Sequence, residues 1–149
     1  MNFEKLKELR NMGFNKAVGV VTTEISEGYA KAEVEIGPQH INPIGSVHGG
    51  VLFTIADITA GAAATSRGRY MTTMSSNMNF LRPAINCKKL TGETREIKVG
   101  KQVCVYEVLI TDETGREIAI ATVTFHCIGK TSGEDFLKIN ELTTRLKVS

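Results

Sequence analysis

Apolar and polar residues alternate strictly through residues 29–36. Ala30, Ala32, Val34 and Ile36 face one way and Tyr29, Lys31, Glu33 and Glu35 the other, which predicts a strand with one face in a core and one in water. Residues 17–26 read as a second strand, joined to it at Glu27-Gly28. Ahead of both, Phe3, Leu6 and Leu9 recur at helical spacing behind Asn2, a suitable cap, and predict a helix over 2–11. The run 51–66 is apolar on every side and long enough for a helix, so protein must wrap most of its circumference. Four more strands are predicted at 70–82, 88–99, 102–111 and 117–127, the last two joined by the tight turn Asp112-Glu113-Thr114-Gly115. Behind Ser132, the spacing of Phe136, Ile139, Leu142 and Leu146 predicts a closing helix. Strands this long need their apolar face covered, and only 51–66 is apolar enough to do it. The fold class is therefore α+β, a curled antiparallel β-sheet wrapped around a central α-helix, without the alternation of a parallel α/β fold.

Composition narrows this picture. With 149 residues and no linker, repeat or low-complexity tract, residues 1–149 read as one domain. The three cysteines, Cys87, Cys104 and Cys127, are odd in number and lack CxxC spacing, which argues for a reducing compartment and against a thiolate metal site. No stretch reaches the ~18 apolar residues of a membrane span, and the N-terminus mixes charges of both signs. A cytoplasmic protein with no membrane association is expected. The net charge of +2 is spread without a basic block or interleaved aromatics, so nucleic acid is not an expected partner.

Chemistry concentrates in His40–Gly50, which reads HINPIGSVHGG, and in Asp57 beyond it. Pro43 disfavours helix at Asn42, Gly45 permits a turn, and Gly49-Gly50 brings unblocked N–H groups to the start of the apolar helix. Such an end attracts a polarised carbonyl oxygen. A carboxylate in a buried helix is expensive unless it is paired, reached by a cleft or used, so Asp57 should meet a cleft. Together the two features suit acyl chemistry, with amides to hold an oxyanion and an acid to activate water or to attack. Gly49 and Asp57 stand eight residues apart, about 12 Å along a helix, too far for one helix to offer both to one carbonyl. If both act on the same group, the site lies across a symmetric homodimer with two shared active sites.

The segment His40–Gly50, with Asp57 nine residues after His48, followed by SSNMNFLRPA (Ser75–Ala84), resembles the hot-dog-fold acyl-CoA thioesterases of the phenylacetate-degradation (PaaI-like) group. The likeness covers roughly residues 15–128. It implies the hot-dog fold, an acyl-CoA substrate, no cofactor and no metal, and homodimers that pair into homotetramers. It further implies Asp57 as general base or nucleophile, the Gly49 amide and Asn42 on the thioester oxygen, Ser75 holding the water, and His48 contacting the thioester region or shaping the loop. Coenzyme A contacts are expected at Gly50, Arg82, Pro83, Gly100 and Lys101, where a cation near a phosphate is physically reasonable. Other hot-dog groups place Glu at a similar helix position or Asp on an early strand, so an Asp on this helix points to the PaaI-like branch.

Other readings of the same residues stand beside these. Asp57 can be a structural acid bonded to backbone, Thr54 or Thr59. His40, His48 and Asp57 fit no common zinc spacing, and Ser75 lacks the Gly-x-Ser-x-Gly setting of a nucleophile. His126 reads as structural or exposed. Arg82 and Lys101 can be solvated charges, and Met71, Met74 and Met78 can line core or an acyl tunnel. A hydratase or dehydratase of the same fold, or a non-catalytic acyl-CoA sensor, are the rival functions.

Overall fold

The structure, a computed structural model, describes residues 1–130; the closing helix predicted around Phe136–Leu146 lies outside the described residues. Helix α1 (Phe3–Arg10) and helix α2 (Gly13–Val18) precede strands β1 (Val20–Ser26) and β2 (Tyr29–Glu35). A 3-10 turn (Pro38–His40) and helix α3 (Gly49–Thr65) follow, then β3 (Arg69–Phe80), β4 (Lys89–Val99), β5 (Val103–Asp112) and β6 (Glu117–Lys130). All six strands form one antiparallel sheet in the order β1-β2-β4-β5-β6-β3. This is the hot-dog arrangement of a curled sheet around a central helix.

Local chemistry sets the element ends. Asn2 caps α1 by accepting the Lys5 N–H at 3.1 Å. The strand expected from residue 17 begins at Val20, because residues 13–18 make a short helix that Gly19 ends at φ 82°. Six residues are too few to show a helical period. Helix α3 starts two residues before the predicted 51, at Gly49, with His48 as its cap.

Inside the curl, Leu52, Ile55, Ala56 and Ala60 of α3 pack on Ala32, Val34, Leu90, Tyr106, Val108 and Ile110 from the strands. Gly92 of β4 sets how close α3 lies: a Cβ there would stand 2.8 Å from both Ile55 Cγ2 and Thr59 Oγ1. The helix is not wrapped as fully as its sequence predicts. Gly50, Phe53 and Asp57 recur on one face and are exposed within the chain, Phe53 at 38%.

The two sheet edges differ. Against β1 lies α1, and the Asn11 side chain closes part of that edge by bonding Thr22 N and O at 2.7 and 3.1 Å. Among the described residues strand β3 pairs only with β6, which leaves the outer edge of a 12-residue strand without a partner there.

Candidate active site

The loop 40–48 is built around Asn42. Its Oδ1 accepts the N–H groups of Ile44 (3.1 Å) and Ser46 (3.0 Å), and its Nδ2 donates to Ser46 Oγ at 2.8 Å. Gly45 supplies the positive φ of 89° that the turn requires. His40 is a structural residue: Gly37 N donates to its Nδ1 at 2.9 Å and its Nε2 donates to Val18 O at 2.6 Å. Val47 N bonds Ala84 O and His48 N bonds His40 O, which aims the loop's end into α3.

At the helix start, the two glycines separate in role. His48 Nδ1 accepts the Gly50 N–H at 2.8 Å, so Gly50's amide is engaged within the loop. The Gly49 N–H has no partner among the described residues and opens on a cleft of 390 Å³ lined by Asn42, Gly49, Leu52, Phe80, Arg82 and Pro83. An unpaired donor at the positive end of a 17-residue helix is where a polarised carbonyl oxygen would rest.

Asp57 is exposed rather than buried as the apolar run suggests, because it lies on the face of α3 that carries exposed Gly50 and Phe53. Its Oδ1 accepts from Thr73 Oγ1 at 2.6 Å. Thr54 and Thr59, the partners its sequence neighbourhood offered, donate instead to Gly50 O and Ile55 O of their own helix. Two cavities meet at Asp57. One, of 270 Å³, also touches Arg10, Asn15 and Thr73; the other, of 310 Å³, touches Phe14, Phe53 and Ser76.

Ser75 lines neither cavity. A bulge in β3 between Thr73 and Ser75 shifts the alternation by one residue, so Thr73 and Ser76 share the helix-facing side with Met71 and Met78. Thr73, bonded to Asp57, and Arg10, on the same cavity, are candidate residues that the sequence did not single out. A bulge has no periodic signature, and Arg10 arrives from a helix 47 residues earlier in the chain.

The expected coenzyme A residues do not gather in one chain. Arg82 and Pro83 line the Gly49 cleft, with Arg82 Nη1 on Glu117 O at 2.9 Å. Gly100 and Lys101 lie at the opposite end of the sheet, their carbonyls accepting from Arg69 at 2.8 and 3.1 Å. Strand β6 measures the separation: Arg82 N bonds Ile118 O and Gln102 O bonds Cys127 N, nine residues or about 30 Å apart. Gly49 and Asp57 likewise line different cavities of one chain. Met71 and Met78 pack on the core, while Met74 is 59% exposed.

A family model described as Thioesterase superfamily matches residues 44–119, which include Gly49, Asp57 and Thr73. The acyl-coenzyme A thioesterase PaaI of Escherichia coli K12 is 31% identical over 116 residues, spanning 78% of this chain and 83% of that one. The solved structure of the E. coli PaaI protein superposes with a TM-score of 0.80 at 28% identity, over 88% of this chain and 99% of its own. A hypothetical thioesterase of Streptococcus pneumoniae TIGR4, solved with coenzyme A, gives 0.71 at 28% identity over 76% and 88% of the two chains.

Proposed function

Since the chain belongs to the thioesterase superfamily, we propose that it hydrolyses acyl-CoA thioesters to the free acid and CoA, with Asp57 as the acting carboxylate. The observation that carries this is the Asp57 side chain on the open face of α3, one oxygen held by Thr73 and cavities on either side. On the hydrolytic route Asp57 takes a proton from water, the hydroxide adds to the thioester carbon, and the C–S bond breaks. The proton on Asp57 then goes to the leaving thiolate. On the nucleophilic route Asp57 adds to the thioester carbon, the C–S bond breaks to expel the thiolate, and water then opens the mixed anhydride at the aspartyl carbon, its proton going to the thiolate. Single turnover in ¹⁸O-water separates them, since only the second leaves label in the enzyme. The Gly49 N–H takes the growing charge on the thioester oxygen, with Asn42 shaping the loop beside it. The reaction calls for no cofactor beyond the CoA of the substrate.

Because about 12 Å of helix separates Gly49 from Asp57, a partner chain supplies one of them. The edge of β3, unpaired among the described residues, and exposed Met74, Phe80 and Leu81 support a homodimer joined there. Exposed Ile97 and Ile128 support further pairing into a homotetramer. In that assembly Arg82 and Pro83 are the CoA contacts beside the Gly49 amide, with Gly100 and Lys101 coming from another copy. Among the described residues no helix is long and apolar enough to cross a membrane. The three free cysteines support a cytoplasmic setting.

The test is thiol release from an acyl-CoA panel. Wild type frees CoA, and Asp57→Asn lowers kcat by about 10²–10⁴-fold with KM changed little. Wild type that binds acyl-CoA, releases no thiol and is matched in binding by Asp57→Asn would make this chain a sensor instead.

A further inference from the structure

Helix α1 brings a cation under the acid. Arg10, its last residue, is half-buried, and its Nη2 donates to Ile58 O of α3 at 3.3 Å. Its Nε is shielded from solvent and has no hydrogen-bond partner among the described residues. Gly61 makes this seat: a Cβ there would run into Arg10 Nη2. Gly61 is flanked by Ala60, Ala62, Ala63 and Ala64 and has no left-handed φ, so it serves by leaving space. Glycine in a helix interior costs about 1 kcal/mol against alanine, so an unfilled notch there is not free. Gly61 lies one turn beyond Asp57 on the same face of α3, and Arg10 and Asp57 line the same 270 Å³ cavity. Among the described residues that line Asp57's two cavities from α1, α2, β3 and β6, Arg10 alone is ionisable. Burial pushes its guanidinium down to about 10, against the upward pull of Asp57's charge, so it stays protonated at neutral pH.

We propose that Arg10 is a positioning residue for Asp57, a cation seated in the Gly61 notch that keeps the carboxylate charged and aimed when an acyl group shuts water from the cavity. The proposal rests on Asp57 acting in hydrolysis. An acyl chain in the cavity strips solvent from the carboxylate and favours its neutral form; a cation one turn away opposes that. A carboxylate that lost its charge could neither accept a proton nor attack.

The experiment follows kcat and kcat/KM against pH for wild type, Arg10→Met, Arg10→Lys and Gly61→Ala, with Asp57→Asn as control. Arg10→Met is expected to move the acid limb up by about one pH unit, more in kcat than in kcat/KM, because the bound acyl group deepens the desolvation. Its loss, about tenfold on the acid side, fades toward the alkaline plateau. Arg10→Lys restores most of the limb, and Gly61→Ala, which displaces the guanidinium without removing it, moves the limb the same way. A limb that superposes on wild type, or a loss equal at every pH, overturns the proposal and leaves Arg10 a structural residue. Should Arg10→Met not fold, the limb of Gly61→Ala decides by the same criterion. An Asp57→Asn enzyme with full activity removes the hydrolytic reading itself; an inactive one with the Arg10→Met limb unmoved removes only the role of Arg10.

Discussion

Gly49 is proposed to act through a backbone atom, so most substitutions there would alter shape and leave the acting N–H in place. Its position in the helix offers a way around this. It is the first residue of α3, where an N–H has no intrahelical partner, and the preceding His48 sits at φ −60° and ψ 134°. Proline is tolerated at that first position, and His48 already has the extended backbone that a following proline favours. Gly49→Pro therefore deletes the donor while keeping the helix. We expect kcat to fall by about 10²–10³-fold with the circular dichroism spectrum unchanged. Gly49→Ala keeps the donor and places a Cβ 3.4 Å from the Phe80 ring, so it should retain most activity in the same assay. Equal losses in the two variants would assign the effect to shape and not to the amide.

At the level of elements, α3 is held at its depth by what β4 lacks. Gly92→Ala puts a methyl 2.8 Å from Ile55 Cγ2 and Thr59 Oγ1, and overpacking of this kind costs about 1–3 kcal/mol. Urea unfolding at fixed protein concentration reads that loss, and an unchanged midpoint would show that α3 can move without cost. Elements also show where sequence patterns stop being informative. The alternation of β2 and the spacing of α1 were legible because one face of each is buried. In β3 the pattern fails: Thr72 through Asn77 are all exposed within the chain, and the bulge before Ser75 reverses which side chains face α3. The resemblance to the PaaI-like group implied Ser75 for the water, and the structure brings Thr73 to the carboxylate. Helix α2 left no periodic trace in six residues, although it contributes Phe14 and Asn15 to the walls around Asp57.

At the scale of the whole molecule, the decisive number is a separation. Gly49 and Asp57 belong to one rigid helix and cannot approach each other, so if both act on one carbonyl, as proposed, a second chain closes the site. Co-expressing Gly49→Pro with Asp57→Asn tests this directly. In a mixed dimer one site loses both groups and the other keeps both. Random pairing then gives about a quarter of wild-type activity, from half the dimers with one intact site in each. Thiol release from the purified mixture measures it, each parent alone being nearly inactive. Activity no greater than that of the parents would show that the two groups do not act together on one carbonyl and sink the shared arrangement.

The amino-acid sequence alone determined the antiparallel strands, the apolar helix at their centre and the pairing of a glycine-rich loop with a following acid. Each follows from local periodicity or from backbone chemistry within a dozen residues. Tertiary structure decided which groups meet. It gave Asp57 to Thr73, brought Arg10 into the Gly61 notch, and set Arg82 and Lys101 at opposite ends of the sheet. Those outcomes depend on a bulge, on the packing of one helix against another and on the path of a sheet. Contacts between residues far apart in the chain fix all three, and no local pattern records them.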